Sequence, residues 1–248
     1  MSETIYTIPV NEAFDTDCEC PICELRKRFE RDSIDYYAGP SLMEPDTRIL
    51  TNETGFCGRH FEMLYNSPAK KLGIGLVLDT YMQEQIKNVR KRAKPGGAIS
   101  KKGLFGSKKD ASSGYDSLIG YLTEHETKCA VCDKLNYTMN RYFEIIFDLY
   151  AGDKEFRAKI ENGKGFCLPH FKFLLETAPK MLNASKCESF CNTIVKVELE
   201  NLERIEQEVD WFTKKFDYRN QDADWGNSRD ALPRGILKMS GAKDIIKD

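Results

Sequence analysis

Eight residues in this chain have the types and the spacing to hold metal ions. Cys20-x-x-Cys23 is followed after 33 residues by Cys57-x-x-His60, and Cys129-x-x-Cys132 is followed after 34 by Cys167-x-x-His170. Side chains at i and i+3 share one face of a helix or tight turn. Joined in sequence order, each CxxC with the CxxH that follows it, they give two sets of three thiolates and one imidazole. That is a closed tetrahedral donor set suited to structural Zn²⁺. Two zinc ions are the expected cofactors. An iron–sulfur cluster is the alternative, less favoured because clusters more often use four cysteines. A closed four-ligand site offers no open position to a substrate, so no hydrolase chemistry is expected at the metal and no catalytic residue is assigned.

The doubling separates these residues from ordinary buried cysteines. Gly55-Phe56 and Gly165-Phe166 precede the third cysteine of each set, and Phe61, Leu64 and Phe171, Leu174 follow each histidine at the same offsets. Any one of these cysteines alone would read as a small core residue. In matched register they read as a tandem duplication of one unit of about 80 to 100 residues. A glycine before the third cysteine would let the backbone approach a metal closely.

Other candidates are weaker. Cys18, in "CECPIC", could replace Cys20, but Cys20 is the residue that matches Cys129. "CPIC" also resembles a redox dithiol at a helix start; the second copy, "CAVC", lacks the proline, and no βαβ context surrounds either. Cys187 and Cys191 extend the apolar stripe of the last long helix and read as core residues, with an i, i+4 dithiol as the alternative. His125 reads as a helix-end residue or an alternate ligand. In "HETKC" a cysteine stands where a zinc-protease helix needs its second histidine.

The elements that must position these residues are helices. Leu135, Met139, Phe143, Ile146 and Leu149 recur at helical spacing up to Gly152. Val195, Leu199, Leu202, Ile205, Val209, Phe212 and Phe216 do the same over residues 184–216. Another long helix is expected over 69–94, and shorter ones close near Ser67-Pro68 and Pro179. No strand pattern competes, so the fold class is all-α: two tandem helical repeats, each stapled by its own Cys₃His site. The expected order is a first repeat at 1–94, a basic flexible linker at 95–112, a second repeat at 113–218, and a tail at 219–248. In that tail Ser228 or Asp230 would cap a short helix stopped at Gly241.

Charge supports that division. Residues 87–109 carry nine basic and no acidic side chains, within a 248-residue chain of net charge -2. Such a connector could contact nucleic-acid phosphates, but it holds a single aromatic residue, Phe105, and a solvated linker is the favoured reading. The N-terminus shows no signal-peptide pattern, and the longest apolar run, "GIGLVL", is too short to span a bilayer. A cytoplasmic location without membrane association is expected, where thiols stay reduced and serve metals in preference to disulfides.

The combination of "IPVNEAF", "CECPIC", "SLMEPDTR", "GFCGRHF", "CAVC", "GFCLPHF" and "KKFDYRN" with "DALPR" resembles an uncharacterised cysteine-rich bacterial family, a domain of unknown function, over nearly the whole chain. The resemblance implies a cysteine-rich intracellular protein and brings no established activity. The expected role is a scaffold or interaction module for an unidentified protein partner. Alternatives are a redox-active or sensing protein with an iron–sulfur or labile zinc–thiolate centre, and nucleic-acid binding through the linker.

Overall fold

The computed structural model describes residues 5–68, 71–93 and 115–241, and the expected basic linker lies outside them. Among the described residues there are eleven α-helices and no strand: α1 (Thr7–Asp15), α2 (Pro21–Ala38), α3 (Pro45–Thr54), α4 (Gly58–Asn66), α5 (Lys71–Arg92), α6 (Asp116–Glu126), α7 (Ala130–Gly152), α8 (Lys154–Glu161), α9 (Leu168–Met181), α10 (Ala184–Lys214) and α11 (Ala231–Ser240). The all-α class holds. No helix among the described residues is long and apolar enough to cross a membrane.

Most boundaries follow local chemistry. Gly39-Pro40 ends α2, and the missing amide of Pro68 falls just past α4. Asp153 caps α8 by accepting from the amides of Glu155 and Phe156, and Asn183 caps α10 by accepting from that of Lys186. Helix α9 runs two residues beyond Pro179 before it ends. Neither expected cap acts on α11: Asp230 makes no side-chain cap bond, and the Ser228 hydroxyl donates to the Trp225 carbonyl. Gly241 does end α11, in the left-handed region at φ 66°.

The chain divides into two compact units that do not follow sequence order. One is Met1–Phe29 together with Thr138–Asp248; the other is Glu30–Tyr137. The successive repeats expected at 1–94 and 113–218 are not confirmed by this division.

The first unit has a large aromatic core. Phe147, Phe156, Phe166, Phe190, Ile194 and Leu174 are all fully buried. Phe14 of α1 packs at a tilt against Phe156 of α8 at 4.7 Å, and Phe147 meets Phe190 edge-on at 5.3 Å. The buried face of α10 runs through Phe190, Ile194, Val197, Glu198 and Ile205, whereas Val195 and Leu199 are exposed. The core-facing side is thus rotated from the apolar stripe legible in sequence, because it includes a glutamate.

That glutamate is balanced from α11. Lys238 and Glu198 are essentially inaccessible and form an ion pair at 3.6 Å. Glu198 also accepts from the Phe166 amide at 2.8 Å, and Lys238 donates to the carbonyls of Glu19 and Lys164. Burial pushes the Glu198 carboxyl up and the Lys238 ammonium down, so ionising either group costs stability. For Glu198 the cost is absent in acid and grows as pH rises through its raised pKa. For Lys238 it vanishes as pH climbs towards 10.5. Lys238→Met strands the carboxylate and is expected to cost the unit about 3–5 kcal/mol. Adding Glu198→Gln, which keeps an acceptor for Phe166, should recover most of it. A double-mutant cycle in urea checks this; additive losses would count against a coupled pair.

The second unit has a smaller core of Ile34, Tyr37, Phe56, Leu64, Val77 and Val131, built as a chain of aromatic contacts from Tyr37 through Phe56 and Phe61 to Tyr81. It leaves Ile49, Leu72, Leu76, Met82 and Ile86 exposed.

Candidate metal centres

All eight sequence-derived residues converge, in two groups whose ligand atoms lie within 4.8 Å of one another. The pairing differs from sequence order. Cys20 and Cys23 meet Cys167 and His170; Cys57 and His60 meet Cys129 and Cys132. Each CxxC takes the CxxH of the other copy, and no single copy is closed by its own site.

Every half-site is the start of a helix. Cys57 and Cys167 are the N-cap residues of α4 and α9. Cys20 and Cys129 hold the same position on α2 and α7, their carbonyls accepting from the amides of Glu24 and Asp133. The second ligand of each pair stands three residues on, in the first turn, where N-cap and N3 side chains face one another. Each site therefore joins two helix N-termini. A divalent ion with three thiolates has net charge -1, and each helix start offers roughly half a positive charge, so the macrodipoles offset the excess.

The separations suit a tetrahedral ion. With metal–sulfur and metal–nitrogen bonds of about 2.3 and 2.0 Å, sulfurs stand about 3.8 Å apart and sulfur and nitrogen about 3.5 Å apart. Cys23 and Cys167 sulfurs are 3.6 Å apart, and those of Cys57 and Cys132 are 4.0 Å apart. His170 Nδ1 lies 3.5, 3.4 and 3.1 Å from the sulfurs of Cys20, Cys23 and Cys167. His60 Nδ1 lies 3.2, 3.1 and 3.5 Å from those of Cys57, Cys129 and Cys132. Both imidazoles present the same nitrogen.

Protons are unevenly held in each group. Hydrogen bonds from Cys20 and Cys23 hold the Cys167 thiol down at about 3 against burial, while Cys23 is pushed up by Cys167 and Cys20. Burial opposes charge on Cys129, but hydrogen bonds from His60 and from the amides of Cys132 and Cys57 outweigh it and hold the thiol at about 6. Burial likewise opposes the His60 cation, yet Cys129 and Glu30 raise it to about 10. Binding a cation would displace these protons, so affinity weakens as pH falls.

The surroundings of the two sites differ. His60 Nε2 is held by Glu30 at 3.1 Å, and Glu30 also pairs with Arg59 at 2.9 Å. A carboxylate on the far nitrogen fixes the ring and raises its basicity. The position ten residues past Cys129 that matches Glu30 is Met139, and the His170 ring packs towards Phe143 instead. Nothing in the sequence distinguished Glu30 among 39 acidic residues.

The repeated glycines act through their backbone. Gly55 and Gly165 have φ of 60° and 74°, a region that favours glycine. A Cβ on Gly55 would stand 2.2 Å from the Tyr81 ring, and one on Gly165 would stand 2.6 Å from Glu198 Oε2. Gly55→Ala is expected to cost its unit about 1–3 kcal/mol from backbone strain, plus displacement of Tyr81. A drop in the urea midpoint of the metal-loaded protein reads it.

The other candidates lie outside both groups. His125 bonds to the Tyr81 hydroxyl and sits beside Tyr121. Cys187 and Cys191 are half-buried on α10. Cys18 is half-buried two residues from Cys20.

A family model matches residues 1–245. The chain belongs to DUF6062, a family of unknown function. For this DUF6062 chain no curated protein and no solved structure matches. The chemistry of the site therefore rests on the eight side chains and their neighbours.

Proposed function

We propose that this DUF6062 protein is an intracellular zinc protein with two structural Cys₃His sites, and that it serves as a scaffold or interaction module for a protein partner. The observation that carries the reading is the donor geometry: three sulfurs and one imidazole nitrogen at tetrahedral separations, twice, each set clamping two helix starts. Such a set saturates the four coordination positions zinc prefers. Three thiolates with one imidazole also suit zinc better than a cluster that draws on four cysteines.

Anaerobic purification followed by elemental analysis and a visible spectrum tests it. About two zinc ions per chain and no colour are expected. Iron with sulfide and absorbance near 400 nm would overturn the zinc assignment, and a chain that binds no metal would overturn the reading altogether.

A further inference from the structure

We propose that the site of Cys20, Cys23, Cys167 and His170 is an exchangeable metal site, loaded and emptied through a cavity on its flank with the Cys18 thiol as the transient ligand. The inference rests on the metal-binding reading above and assigns that site a dynamic role.

A cavity of about 260 Å³ is lined by Cys18, Cys20 and Cys23 together, so two of the four ligands face a space large enough for a hydrated ion or a small chelator. Its wall carries four carboxylates against three cations, with Lys164 paired to Asp17 at 2.5 Å and Arg234 to Glu19 at 3.1 Å and to Asp230 at 2.9 Å. The lining therefore favours a cation over an anion. Cys18 also lines a second, smaller cavity on the side of Phe166. It shares the first cavity with two of the ligands without being part of the donor set.

The exchange step balances. The Cys18 sulfur bonds to the ion as the bond to Cys20 or Cys23 breaks. The proton lost by Cys18 is taken up by the released thiolate, and the charge at the ion is unchanged. An acceptor in the cavity then meets an ion held by one ligand that is not clamped in a helix start.

The other site differs among the described residues. Its ligands line neither of these two cavities. The residue matching Cys18 is Thr127, whose hydroxyl donates to the Glu124 carbonyl at 2.7 Å. Its histidine is braced by Glu30.

The test uses the full chain loaded with two zinc ions, mixed anaerobically with excess 4-(2-pyridylazo)resorcinol. One ion should leave in a fast phase and one in a slow phase. Cys18→Ser should retain both ions and slow the fast phase about tenfold, the lower end of what loss of a supporting group does at a metal site. Glu30→Gln should accelerate only the slow phase. A single common phase, or a fast phase unchanged in Cys18→Ser, overturns the proposal while leaving two bound ions intact. Loss of an ion from Cys18→Ser makes Cys18 a resident ligand and overturns it equally. A wild-type chain without zinc would fail the underlying reading instead.

Discussion

Expressed separately, residues 1–94 and 113–248 should each fail to hold a tetrahedrally coordinated ion, and mixing them should restore two. Each fragment would carry one CxxC and one CxxH, but the CxxC of the first belongs with Cys167 and His170 of the second, and the CxxC of the second with Cys57 and His60 of the first. Two ligands on one helix start leave half of the coordination positions unfilled. Pairing in sequence order makes the opposite forecast, one tightly bound ion per fragment. Cobalt(II) reports the difference directly, because tetrahedral thiolate coordination gives intense visible bands that two-ligand binding lacks. Bands from either fragment alone would refute the crossed pairing.

Exhaustive chelation should act unequally on the two units. Structural zinc supplies about 10–16 kcal/mol of binding free energy, comparable with the whole stability of a domain, about 5–15 kcal/mol. Whether a unit survives its loss depends on its core. The first unit buries Phe147, Phe156, Phe166, Phe190, Leu174 and Ile194 completely, while the larger core residues of the second, Ile34, Tyr37, Phe56, Leu64 and Val77, each keep a few per cent of their surface accessible. Exhaustive chelation under reducing conditions should therefore abolish amide-exchange protection in α3, α4 and α5 and preserve it in α8, α9 and α10. Protection lost equally from both sets, or from neither, would contradict the division of stability drawn from the cores.

The candidate ligands were legible because their chemistry is rare and their spacing is doubled: Cys20, Cys23, Cys57, His60, Cys129, Cys132, Cys167 and His170 needed no structure to be picked out. Their partnership was not, because spacing describes the chain between two residues and says nothing of whether that chain returns. The apolar periodicity of α10 located the helix but missed its inner face, since Glu198 is charged and its partner Lys238 lies 40 residues on, in α11. Glu30 escaped for a related reason: a carboxylate that braces an imidazole looks like any other until the ring is beside it. The glycines of the two Gly-Phe-Cys motifs were noticed, but their demands on backbone conformation and on the space beside Tyr81 and Glu198 were not legible.

The crossed pairing also sets a timetable during synthesis. Cys20 and Cys23 emerge early, yet their partners are complete only at His170, 147 residues after Cys23. At about 5–20 residues per second, that thiol pair waits on the order of 7 to 30 seconds without the ligands that would close its site. Cys57 and His60 wait about half as long, until Cys132. The nascent chain thus finishes one centre before the other, and the pair flanked by a third thiol at Cys18 is the one left open longest to oxidants and stray metals.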